Sequence, residues 1–165
     1  RVAAAVAAGA DAVLVAPPRF GPAPDAYFAR VAEAAGGAPM LAYHWPGVAG
    51  GEVTLEALPG LPVAGLKDSS GDPGRLVRLL DLGWPGAVYT GSPALVGSAA
   101  WLGATGVLVA TANAVPEDCL AAWDGDAAAQ RRLLRTDLAA RGGFARGIKE
   151  AMAGRFGTPL ACRLA

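Results

Sequence analysis

Hydrophobic positions in this chain fall into short unbroken runs set off by proline, glycine or charged stops. Five runs recur: Ala12–Ala16 between Asp11 and Pro17, Met40–Trp45 between Pro39 and Pro46, Val63–Leu66 between Pro62 and Lys67, Val88–Thr90 between Ala87 and Gly91, and Val107–Ala112 between Gly106 and Asn113. Their starts lie roughly 20–28 residues apart, the length of a βα unit. Continuous rather than alternating apolarity predicts strands buried on both faces, as in a parallel sheet.

The stretches between the runs read as helices. Pro73-Gly74 leads into 75–81, where Leu76, Leu79 and Leu80 share one face and proline sits near the start. Segments 24–35 and 92–104 follow the same plan. After the fifth run, 116–143 carries two helices separated near Gly125, and Gly143 to Phe156 forms one more. Residues 1–9 also read as a helix, but no Ser, Thr, Asp or Asn caps it. The chain is therefore expected to begin inside a helix, as a fragment would.

Repeated βα units allow an open doubly wound sheet or a closed barrel. Neither GxGxxG nor GxxxxGK[ST] occurs to mark a nucleotide turn. The run tips instead carry Tyr43, Lys67, Gly91-Ser92 and Asn113. Polar groups converging from several strand ends are barrel behaviour, so the fold class expected is α/β, a (β/α)8 TIM barrel.

Composition narrows the functional classes. Fourteen Lys and Arg balance fourteen Asp and Glu, for a formal net charge of zero, and no basic footprint for nucleic acid is present. No apolar run approaches the ~20 residues that span a bilayer. With no signal-peptide pattern, a cytoplasmic setting and no membrane partner are expected. Cys119 and Cys162 are isolated, without CxxC spacing, so neither a disulfide framework nor a metal site is expected.

Of the two lysines, Lys67 is the one placed for chemistry. It ends an apolar run and opens the polar turn Asp68-Ser69-Ser70-Gly71-Asp72. An amine desolvated at a strand's carboxyl end loses part of its pKa and gains nucleophilicity. A solvated lysine in a βα loop is the alternative this segment alone leaves open. His44, the only histidine, should face away from Tyr43, because neighbouring strand residues point to opposite sides. Its expected role is structural, which leaves no histidine base for a Ser-His hydrolase. Trp45 and Trp101 are expected to pack, Asn113 to link a strand end, Lys149 to be solvated, and 70–72 to cap the next helix. Ser69 is a candidate hydrogen-bonding partner for substrate, and Arg19 a candidate contact for an acidic one.

With those tips in view, the chain resembles the dihydrodipicolinate synthase and N-acetylneuraminate lyase family of Schiff-base aldolases. Ala8-GADAVLVAPP resembles the family's fourth strand and double-proline turn. Leu41-AYHWPGVAG is similar to its tyrosine-bearing strand, Tyr-Asn-x-Pro-x-x-x-Gly. Gly65-LKDSSGD resembles the lysine segment, Thr90-GS the seventh-strand tip, and Gly103-ATGVLVATANAVPE the eighth strand. The resemblance implies Lys67 as the imine-forming residue, Tyr43 as the proton relay, and Gly91 and a backbone group of Leu108 at the substrate. It also implies a small-molecule 2-oxo acid such as pyruvate, an aldehyde partner, no cofactor, and a homo-oligomer. Val48 stands where family synthases carry an arginine for the aldehyde's carboxylate. Pro93 and Ala94 replace the Asp-Glu pair of the sialic acid lyases. A dehydratase using the same imine, or a non-catalytic regulatory homologue that binds small molecules, is the alternative.

Set against the family, the chain is expected to hold strands four to eight, with residues 1–115 forming five βα units. Residues 116–165 would supply the eighth helix and a helical extension of the same single domain. The first three strands and the Gly-Thr/Ser-Thr-Gly-Glu-type carboxylate loop would be missing. Five parallel strands cannot close a barrel that needs eight. The strands at Ala12–Ala16 and Val107–Thr111 should then keep unpaired edges on an open sheet, with Tyr43 beside Lys67 at its rim.

Overall fold

Strands form inside the apolar runs and are shorter than the runs that hold them. A computed structural model describes residues 1–21, 23–141 and 144–161. The strands are β1 (Val13–Val15), β2 (Met40–His44), β3 (Gly65–Asp68), β4 (Ala87–Thr90) and β5 (Gly106–Val107). They lie in one sheet in the order β1-β2-β3-β4-β5, with β1 and β5 at its two ends. The β1–β2 and β2–β3 pairings are parallel. Parallel neighbours require crossovers, and helices supply three of them: α2 (Pro24–Ala35), α3 (Pro73–Asp81) and α4 (Val96–Trp101). The β2–β3 connection has no α-helix, only a single 3₁₀ turn at Leu58–Gly60. A short α1 (Val2–Ala7) precedes β1 and has no side-chain cap. After β5 come α5 (Pro116–Trp123), α6 (Ala127–Ala140) and α7 (Phe144–Phe156).

The chain divides into two compact units, Arg1–Tyr89 and Thr90–Ala165. In the first, one face of the strands presents Val13, Val15, Met40, Ala42 and Leu66, all buried together with Phe28 of α2 and Leu76 and Leu79 of α3. Helix α3 starts where the sequence provides a stop: the Asp72 carboxylate accepts from the Gly74 N–H at 2.8 Å, with Pro73 in the first turn. The opposite strand face carries Leu14, Leu41, Tyr43 and Lys67 and is more open, with Leu14 43% exposed. Gly65 lies on that same face. A Cβ there would meet the Ala87 carbonyl oxygen at 2.6 Å and the Leu41 Cδ2 at 2.7 Å, so a glycine is what lets Leu41 cross over β3.

In the second unit Val96, Val109, Cys119, Ala122, Ala129 and Leu133 form the core. Helix α6 is capped by Asp126, whose carboxylate accepts from the Ala128 and Ala129 N–H groups at 2.7 and 3.1 Å. Two expectations need correction here. The last strand ends at Val107 rather than Thr111, because 110–113 closes into a 3₁₀ turn in which the Ala114 N–H reaches the Thr111 carbonyl at 3.0 Å. Trp101, expected to pack, is 75% exposed at the end of α4. The helix expected over 92–104 also opens as a 3₁₀ turn at Pro93–Leu95 before α4 begins. Cys162 and Gly143 lie outside the described residues.

Candidate active site

Tyr43 and Lys67 are direct partners in the β2–β3 register, and so are His44 and Asp68. Side-chain alternation puts the first pair on the open face and the second on the buried one. The Lys67 Nζ lies 4.5 Å from the centroid of the Tyr43 ring, and the Trp45 ring is 6.2 Å from that of Tyr43. Lys67 is half-buried, and burial lowers its pKa below the ordinary 10.5. The π face of Tyr43 favours the ammonium and works the other way, but desolvation sets the direction. No carboxylate pairs with Lys67 among the described ion pairs.

Behind this pair lies a polar ring that the sequence reading did not anticipate. His44 is buried, and its Nδ1 accepts from the Val53 N–H at 3.1 Å. The Val53 carbonyl accepts from Arg75 Nη2 at 2.6 Å, and Arg75 Nε donates to Asp68 Oδ2 at 2.5 Å. Asp68 Oδ1 accepts from both the N–H and the Oγ of Ser70, at 2.8 and 2.5 Å. The Ser69 N–H donates to the His44 carbonyl at 2.9 Å, tying β2 to the end of β3. Burial, reinforced by the Arg75 charge, holds the His44 pKa below 6.5, against weaker opposition from Asp68 and Glu52. The available signal was an acidic residue just before a helix whose first turn carries an arginine.

The loops that follow β1 and β2 are joined at the rim. The Gly51 N–H donates to the Pro17 carbonyl at 2.7 Å. Arg19 Nη2 donates to the Gly47 carbonyl at 3.1 Å and to that of Pro46 at 3.4 Å. The guanidinium expected to meet an acidic substrate is thus engaged with backbone carbonyls. Val48 stands exposed on the same loop. Ser69 directly follows β3 and is half-buried. Gly91 and Leu108 belong to the second unit, where the Leu108 N–H donates to the Thr90 carbonyl at 2.9 Å. Asn113 Nδ2 donates to the Ala110 carbonyl. Lys149 donates to the Ala161 carbonyl. Burial raises the Cys119 thiol pKa, which keeps it protonated and inert.

Among the described residues no group of three or more His, Cys, Asp or Glu side chains is placed to hold a metal ion. Likewise, no described helix is long and apolar enough to cross a membrane.

Comparison with known proteins places this geometry. Residues 2–152 match the model of the Dihydrodipicolinate synthetase family. An uncharacterized DapA-like lyase of Chloroflexus aurantiacus is 37% identical over 148 residues, covering 79% of this chain and 50% of that protein. Among solved structures, KD(P)GA from T. tenax superposes with a TM-score of 0.83 at 25% identity, over 97% of this chain and 61% of that one. YagE of E. coli K12, a prophage protein of the dihydrodipicolinic acid synthase family solved with pyruvate, gives a TM-score of 0.78 at 26% identity, over 90% and 57%. The chain thus spans about half the length of the curated relatives it matches, and its five strands are part of a (β/α)8 fold.

Proposed function

The chain belongs to the dihydrodipicolinate synthetase family, and from that premise we propose that Lys67 is the Schiff-base lysine of a lyase acting on a 2-oxo acid such as pyruvate. The observation that carries this reading is the cross-strand pair itself: a half-buried amine of lowered pKa, 4.5 Å from the Tyr43 ring and outside every described ion pair. The neutral amine attacks the ketone carbon, and the carbinolamine loses water to give a protonated imine. That cation then accepts the electron pair of the adjoining carbon–carbon bond as it breaks, or supplies an enamine for bond formation after loss of a C3 proton. Tyr43 gives and takes the protons these steps require. Ser69, Gly91 and the backbone of Leu108 are the proposed substrate contacts. Val48 offers no charge to a carboxylated aldehyde, so a neutral aldehyde is the expected partner. The pyruvate recorded with YagE supports the choice of 2-oxo acid.

The test is reductive trapping in the intact gene product. Borohydride with pyruvate should fix a reduced adduct on Lys67, and Lys67→Arg should abolish it, because a guanidinium stays protonated. No adduct, or an adduct on Lys149, overturns the reading.

A further inference from the structure

We propose that Arg75, acting through Asp68, Val53 and His44, is a positioning residue that clamps the ends of β2 and β3 and so holds Lys67 against Tyr43. The inference rests on the Schiff-base reading of Lys67 given above.

The connection from β2 to β3 has no α-helix to fix its ends. Val53, in the middle of that connection, is 1% exposed and has both backbone groups bound. Its N–H is held by His44 of β2 at 3.1 Å, and its carbonyl by Arg75 of α3 at 2.6 Å. The same guanidinium holds Asp68 of β3. Two strands, a helix and a loop therefore meet in four residues. His44 and Asp68 immediately follow Tyr43 and Lys67 along their strands and pair in the same register. A shift of either strand end moves the reacting pair, and a misplacement of about 1 Å at a reacting centre can cost on the order of 10²-fold in rate.

The clamp works only with a neutral imidazole. Nδ1 accepts from the Val53 N–H, and protonation would turn it into a donor facing a donor. The charged groups that bear on His44 are Arg75 of α3, Asp68 of β3 and Glu52 of the loop. Asparagine at this position keeps a short-range acceptor but does not titrate.

Four variants of the intact gene product test the clamp. Arg75→Leu strands a buried carboxylate and risks unfolding, so Asp68→Leu/Arg75→Leu, which leaves no unpaired buried charge, is the informative variant. Arg75→Lys keeps the charge, but a single nitrogen cannot serve Asp68 and Val53 in the fork geometry. His44→Asn removes the titration. Two readouts apply: the rate of reduced-pyruvate adduct formation at Lys67, and the upfield ring-current shift that Tyr43 imposes on the Lys67 ε-methylene protons. The double variant should melt cooperatively, trap pyruvate about 10²-fold more slowly and lose the ring-current shift. Arg75→Lys should fall between it and wild type. His44→Asn should trap at the wild-type rate at neutral pH and lose the acid limb of the profile. A folded double variant, or Arg75→Lys, with wild-type rate and shift would reduce the ring to a purely structural role and overturn the proposal. Should wild type trap no pyruvate while the variants still lose the ring-current shift, the clamp stands and the Schiff-base reading fails.

Discussion

Tyr43 contributes a ring face to Lys67 in the resting structure and, on the proposed mechanism, a hydroxyl to the reaction. The two contributions separate cleanly. Tyr43→Phe keeps the ring, so the melting temperature should hold while turnover drops by about 10²–10⁴-fold. Undiminished turnover in that variant would leave Tyr43 a packing residue. His44 makes a different prediction, about stability. Its folded pKa is below 6.5, so between that value and 6.5 the unfolded chain binds more protons than the folded one. Stability therefore rises with pH through that window, is complete above about 6.5, and is lost as pH falls toward the folded value. Thermal melts stepped downward from pH 7 should show the loss, and His44→Asn should flatten it. Both residues could be singled out from the chain alone, Tyr43 by its motif and His44 by alternation along a strand. Asp68–Arg75 could not. Its partners are joined by a turn whose path is fixed by Gly71, at φ 74° in the left-handed region glycine favours, and no periodicity encodes that path.

At the level of elements, the apolar runs located every strand, and the proline and aspartate stops located α2, α3 and α6. The failures share a cause. Val107–Ala112 looks like one strand because Val, Leu and Ala are apolar in a strand and in a 3₁₀ turn alike. What ends β5 is the set of hydrogen bonds converging on Thr111, a tertiary fact. Trp101 misled for a related reason: large aromatics usually bury, yet the last turn of α4 points it outward. Helix α6 supplies the sharpest packing prediction. Leu133 is fully buried among Val96, Val109, Cys119, Ala122 and Ala129. Leu133→Ala should cost about 2–5 kcal/mol, read as a fall in the urea midpoint, and a loss under 1 kcal/mol would mean the site collapses to fill the cavity.

For the molecule as a whole, a net charge of zero combines with an apolar strand exposed at one end of the sheet order. Leu14, between Val13 and Val15, is 43% exposed on the face that carries Lys67. Short apolar edge strands of low charge template association. A solution of these 165 residues should therefore self-associate near its isoelectric point of about 6.8, and Leu14→Lys should suppress this by adding charge at the edge. Sedimentation of the two chains at matched concentration decides it; equal association would move the interface elsewhere.

The joined rim loops bear on how the protein can be re-engineered. A Cβ on Gly51 would come within 2.5 Å of the Pro18 carbonyl oxygen, and one on Gly50 would run into that of Pro17. Arg19 closes the join from the other side. Neither loop is then a module by itself. A library that randomises 46–51 while leaving 17–19 fixed, or the reverse, will be filled with clashes and orphaned carbonyls. Transplanting both segments as one cassette preserves the fit, and that is the unit in which specificity at this rim should be exchanged.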